Sequence, residues 1–118
     1  MTEGAAPDEA LTPGDVVWVE PEIAVGREQA GRRPAVIVAG VGYLQAVDTL
    51  PLVVPITTVD RGWPNHIEVI GAQLDHRSWA MSEQIRTISR ERIVGRSGRA
   101  SDATLAAIRT WLADFLDL

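Results

Sequence analysis

The sequence predicts a mainly β fold closed by one C-terminal α-helix, built as a small antiparallel barrel or curled sheet. Three observations carry this reading. From Pro13 onward, short runs rich in β-branched residues are separated by Gly, Pro and Asp clusters. Two of those runs are apolar on both faces, as central strands or the inside of a small closed barrel require. Residues 101–118 then switch to the period of an amphipathic helix.

Residues 1–12 are polar, acidic and aperiodic, which predicts a flexible tail ahead of a single domain over 13–118. The expected strands are "DVVWVE" (15–20), "RPAVIVA" (33–39), "PLVVPITT" (51–58), "HIEVI" (66–70) and "SWAMSEQIRTIS" (78–89). The second and third are the two that are apolar on both faces. Pro34 suits an early strand position and biases Arg33 toward an extended backbone. Along the fifth strand, alternation places Gln84 and Arg86 on one face, and Glu83 on the other with Trp79, Met81 and Ile85. "SRERIV" (89–94) reads as one short helical turn. In the closing helix Ser101 is the expected N-cap, with Leu105, Ile108, Trp111, Leu112 and Phe115 on one face.

A chain of 118 residues fits one domain with a real core. The absence of cysteine excludes disulfides and thiolate metal sites and fits an intracellular location. The start "MTEGAAPDEA" lacks the apolar segment of a signal peptide, and the longest apolar stretch, 34–47, is short and interrupted by Gly40 and Gly42. The expectation is a cytoplasmic protein with no membrane partner. The net charge of −5 argues against a nucleic-acid partner, but its distribution does not. Residues 1–22 hold six acids and no base, and 110–118 hold two acids and no base, so the segment between is net basic. Every base is arginine, a side chain that matches phosphate oxygens two at a time. Genome composition explains an all-arginine repertoire equally well.

Most catalytic equipment is missing: there is no Gly-rich phosphate loop, no G-x-S-x-G and no cysteine nucleophile. His66 and His76 lack paired ligand spacing, so no metal site is expected, and each reads as a partly exposed residue near a strand end. What remains are polar residues near strand ends: Glu28, Gln29, Arg32 and Arg33 in the first long loop, Thr57 and Thr58 closing the third strand, and Glu83, Gln84 and Arg86 in the fifth. A guanidinium is almost never buried without a partner, so Arg33, where a loop becomes core, must meet a carboxylate of the chain or a substrate. Glu83 on an otherwise apolar face needs a partner or a raised pKa, and an arginine at the barrel rim is the simplest partner.

Three segments in order, "GREQAGRRP", the strand ending "VVPITT" and "EQIRTI", resemble the MazF/PemK (Kid) family of toxin–antitoxin endoribonucleases. The resemblance runs from about Pro13 into the C-terminal helix. It implies an SH3-like, plasmid-maintenance-toxin barrel and a metal-independent, cofactor-free ribonuclease of single-stranded RNA. It further implies a homodimer whose RNA groove is covered by the tail of a cognate antitoxin. Carried over by motif, Arg33 and Thr57 correspond to the catalytic pair, and Glu28 and Gln29 to residues near the substrate. The chemistry is consistent: the RNA 2′-OH is a tethered nucleophile, so an arginine fork and a hydroxyl need only stabilise charge on the phosphoryl oxygens. Arginine is a poor proton shuttle at neutral pH, which leaves Glu28 as the candidate general base.

Two departures from the family pattern bear on the RNA contacts. Arg27 follows Gly26 where relatives carry a small or polar residue, adding a candidate phosphate contact. Met81 stands where some relatives have an arginine, with Arg86 or Arg32 as substitutes. Trp63 in "VDRGWPN" either stacks a base or packs on its own Pro64. Thr58, Glu83 and Gln84 complete the candidate RNA contacts. The rival from another class is a non-catalytic toxin of the same barrel that binds DNA gyrase, which would need neither Arg33-Pro34 nor Thr57. An SH3-like peptide binder fits less well, because its groove would be lined with aromatics.

Overall fold

Strand β2 (Arg33–Ile37) lies between β1 (Asp15–Val19) and β3 (Leu52–Thr57), all antiparallel. In this computed structural model, which describes residues 9–21 and 31–118, the full sheet order is β4-β5-β3-β2-β1-β7. The outer strands are β4 (His66–Glu68), β5 (Trp79–Met81) and β7 (Ile93–Arg99), and the two-residue β6 (Arg86–Thr87) pairs with β3. An isolated bridge between Ala72 and Gly98 and the hydrogen bond from Gln73 N to Ser97 O join the β4–β5 connection to β7. The curled sheet therefore meets itself, which covers edges that would otherwise be open to pairing.

The double-faced apolar runs do become the central strands. One face of the sheet packs Val17, Val19, Ala35, Ile37, Val53, Ile88 and Ile93. The other packs Val16, Val36, Val54, Ile56 and Ala80 against Leu105 and Ile108 of helix α2 (Asp102–Phe115). Ser101 caps that helix as expected, its Oγ accepting from Thr104 N at 3.1 Å. Ser101→Ala is expected to cost about 1 kcal/mol, read as a shift in the denaturation midpoint at constant m. Gly71 lets the helix start dock here. Its φ is 102°, and a Cβ would lie 2.9 Å from Ser101 N.

Several expectations need correction. Among the described residues the sheet has seven strands rather than five. In "SRERIV" only Arg90–Arg92 form a 3-10 turn, and Ile93 begins β7. That strand, IVGRSGR, holds two glycines and is polar, so it carries little β signal, and its pairing with β1 is interrupted by register shifts. The fifth predicted strand breaks at the 3-10 turn Ser82–Gln84, so Glu83 does not share an apolar face with Trp79 and Met81. A short helix α1 (Val41–Ala46) replaces the end of the apolar run. Phe115 is 44% exposed and meets the Trp111 ring rather than the core. Residues 9–12 are not free of the body: Leu11 is buried and Thr12 N donates to Asp15. Among the described residues, no helix is long and apolar enough to cross a membrane.

Candidate active site and nucleic-acid interface

The ladder between β2 and β3 runs through Ile37↔Val53, Val36↔Val54 and Ala35↔Pro55, and then stops. Beyond it Arg33 pairs with Val19 on β1, and Thr57 pairs with Trp79 on β5. The two strands part company at this point. Pro34, next in register opposite Ile56, has no N–H to donate, and on the β5–β6 side the register also changes between Ile56↔Ala80 and Val53↔Arg86. Alternation puts Arg33 and Thr57 on the same face as Ala35 and Pro55, flanking the opening between the strands.

Arg33 is exposed, so the partner expected for a buried guanidinium is not required; among the described residues no hydrogen bond or ion pair engages it. Its strand fixes the backbone while the head group reaches solvent. Thr57 is half-buried, and its Oγ1 accepts from Val59 N at 3.1 Å. That bond orients the hydroxyl and leaves its proton available to donate. Arg33 and Arg86 line one cleft of about 250 Å³, floored by Ala35, Val53 and Pro55. Arg92 lines it too, anchored through Nε to Glu20 O at 2.8 Å, a contributor that no local pattern marks. Arg33 and Arg86 are exposed and Arg92 half-buried over an apolar floor, and although Glu20 also lines the cleft, three guanidinium groups against one carboxylate make an anion-attracting mouth.

A second group lies on the loop that follows Thr57 and on the 3-10 turn. Glu83 accepts from Asn65 Nδ2 at 2.7 Å and meets His66 Nε2 at 3.0 and 3.1 Å. Its partner is thus a histidine rather than an arginine, and its pKa is not raised. Partial burial pushes that pKa up, but hydrogen bonds from His66, its own backbone N–H and Gln84, with the attraction of His66, outweigh burial and leave it lowered. His66 is not the partly exposed residue expected: its side chain is 2% exposed. Trp63 is half-exposed and contacts the His66 ring at 4.8 Å, so its packing partner is the histidine. His76 is exposed, as expected.

Glu68 is also held below its ordinary pKa, by hydrogen bonding to Arg77. A carboxylate with a lowered folded-state pKa stabilises fully above its unfolded value and loses that contribution as pH falls through the folded value. Stability is therefore expected to fall below about pH 4.5, and Glu83→Gln to flatten part of that fall, as followed by thermal melts at pH 3–7.

Arg32 sits apart from these groups, with its Cζ 6.0 Å from the Trp18 ring. Thr58 is exposed at the start of the loop to Trp63, and Gln84 borders Glu83 at 3.5 Å. Arg27, Glu28 and Gln29 lie outside the described residues. Asn65, and the pairing of His66, escape the sequence pattern because a 3-10 turn, which the apolar pattern does not signal, brings Glu83 to them; Arg61, which the sequence also does not mark, lies over the Trp63 ring instead. Among the described residues, no group of three His, Cys, Asp or Glu side chains could hold a metal ion.

A family model described as the PemK-like, MazF-like toxin of type II toxin–antitoxin systems matches residues 12–116. Endoribonuclease toxin MazF of Escherichia coli (strain K12) is 32% identical over 97 residues, covering 81% of this chain and 85% of that protein. MazF of Deinococcus radiodurans superposes with a TM-score of 0.75 at 26% identity, covering 94% of this chain and 100% of that one. A Deinococcus radiodurans MazE–MazF crystal structure gives a TM-score of 0.79 at 25% identity, with 94% and 99% covered.

Proposed function

This chain belongs to the PemK-like, MazF-like toxin family of type II toxin–antitoxin systems, and we propose that it is an endoribonuclease cutting single-stranded RNA by attack of the ribose 2′-OH. The products are a 2′,3′-cyclic phosphate and a 5′-OH end. The observation that carries this reading is the placement of Arg33 and Thr57 on one face where β2 and β3 separate.

The substrate brings its own nucleophile, so the protein's task is to hold the phosphate and stabilise charge as it develops. The Arg33 guanidinium spans two phosphoryl oxygens, and the Thr57 hydroxyl donates to one of them. Arg86 and Arg92 supply positive potential along the same cleft and hold a flanking phosphate. Glu28 takes the 2′-OH proton as the P–O5′ bond breaks, the departing 5′-oxygen takes a proton from solvent, and the transfer calls for no metal or cofactor. Gln29, Arg27 and Thr58 contact the strand to either side of the cut, and Arg32 serves as an outlying phosphate contact from its place beside Trp18.

The partners of this reading are single-stranded RNA, a second copy of the chain in a two-fold dimer, and a cognate antitoxin related to MazE. The test is a short RNA carrying the preferred cut site with a single 2′-deoxy residue at the attacked ribose. That oligonucleotide is expected to survive intact while the all-ribose version is cut. Cleavage of the deoxy version would overturn the 2′-OH mechanism.

A further inference from the structure

We propose that Trp63, Glu83 and the buried His66 behind them form a base-reading site that favours a nucleobase carrying an exocyclic amino group over uracil. The proposal rests on the ribonuclease reading above and adds a selectivity to it.

The cluster has a dry side and a wet side. The His66 side chain is 2% exposed, while that of Glu83 is 32% exposed and Trp63 is 49% exposed. A carboxylate offers about four acceptor positions. Asn65 and His66 occupy Oε1, His66 reaches Oε2 at 3.1 Å, and Gln84 approaches Oε2 only at 3.5 Å. The 3.5 Å contact with Gln84 is the longest of these, and a ligand's N–H donor displaces it to reach Oε2. An ionised carboxylate only accepts, so it selects a donor edge. Cytosine, adenine and guanine present amino groups, and the cytosine amino group is a known match for Glu. Uracil presents a single N–H flanked by two carbonyl oxygens, which the carboxylate repels.

Trp63 supplies the stacking surface beside that acceptor. Its ring leans on His66 at 4.8 Å and 47°, and the Arg61 guanidinium lies 5.9 Å from the ring centroid. An exposed aromatic next to a fixed polar group suits an unstacked base of single-stranded RNA. Location supports the same use. The loop bearing Trp63 leaves β3 directly after Thr57, and Ser82 Oγ donates to Asn65 O at 2.6 Å, tying the Glu83 turn to that loop.

His66 acts through Glu83 and is a positioning residue. Its Nε2 fixes the carboxylate, and its Nδ1 is buried without a partner among the described residues. Among the described residues the ring is thus held by packing and by Glu83, which makes the Nε2 bond its evident use.

The experiment is cleavage of a randomised single-stranded RNA pool in EDTA, with 5′ ends mapped for wild type and four variants and thermal melts for each. Wild type is expected to deplete uracil at one position near the cut. Trp63→Ala and Glu83→Gln are expected to lose on the order of tenfold of that preference at that position only. His66→Leu relaxes the same position, whereas His66→Gln, which keeps an N–H near Nε2, retains it; a merely structural role would not separate these two by preference. If His66→Leu fails to fold, the two surface variants still decide. Active enzyme with unchanged preference in both, or uracil enriched at the affected position, overturns this proposal alone. Wild-type protein that cuts no RNA overturns the ribonuclease reading along with it.

Discussion

Arg33→Ala is expected to lower single-turnover cleavage by about 10²–10³-fold, the usual loss when one charge-stabilising donor is removed. The fold should not notice. Arg33 is exposed at the first position of β2, and no described residue pairs with its head group. Exposed substitutions of this kind stay within about 0.5 kcal/mol, so the melting curve should overlay that of wild type. Arg33→Lys separates charge from shape. A lysine keeps the positive charge but not the planar fork, and its rate should fall between the other two. Full activity in Arg33→Ala would remove this residue from the reaction.

Asp15→Ala carries the largest expected effect on stability. Asp15 Oδ2 receives Arg96 Nη1 at 2.8 Å, with both side chains at or below a tenth exposed. The same carboxylate holds Thr12 through its N–H at 2.8 Å and its hydroxyl at 2.9 Å. Arg96 in turn donates to the carbonyls of Glu9 and Ala10, so one carboxylate and one guanidinium fasten the entering chain to β7. Removing Asp15 strands a buried guanidinium, which costs about 3–5 kcal/mol. Thermal denaturation should show Tm lowered by more than about 10 °C. Replacing both partners at once, Asp15→Leu with Arg96→Met, should recover much of that loss, because no unpaired charge then stays buried.

How far the sequence disclosed this molecule follows from which forces write local patterns. Strands β1 to β3 were legible because their apolar runs fill two cores, one on each face of the sheet. Helix α2 was legible through Ser101 and the spacing of Leu105 and Ile108. Strand β7 was not, since its glycines and arginines earn their place through pairing with β1, which no local pattern records. The same distinction governs the candidate site. Arg33 and Thr57 stood out by motif, yet their common face depends on a ladder that ends at Pro55. His66 looked like an unremarkable strand-end residue, and only the 3-10 turn at Ser82–Gln84 brings Glu83 to it.

The most direct measurement is to incubate the purified protein with mixed-sequence single-stranded RNA in EDTA and determine the chemistry and sequence of every new end. The reading of this chain as a metal-independent, 2′-OH-dependent endoribonuclease predicts recurrent cuts at a short sequence, each leaving a 5′-OH. Intact RNA from folded, antitoxin-free protein, or cuts that leave 5′-phosphates, would contradict it.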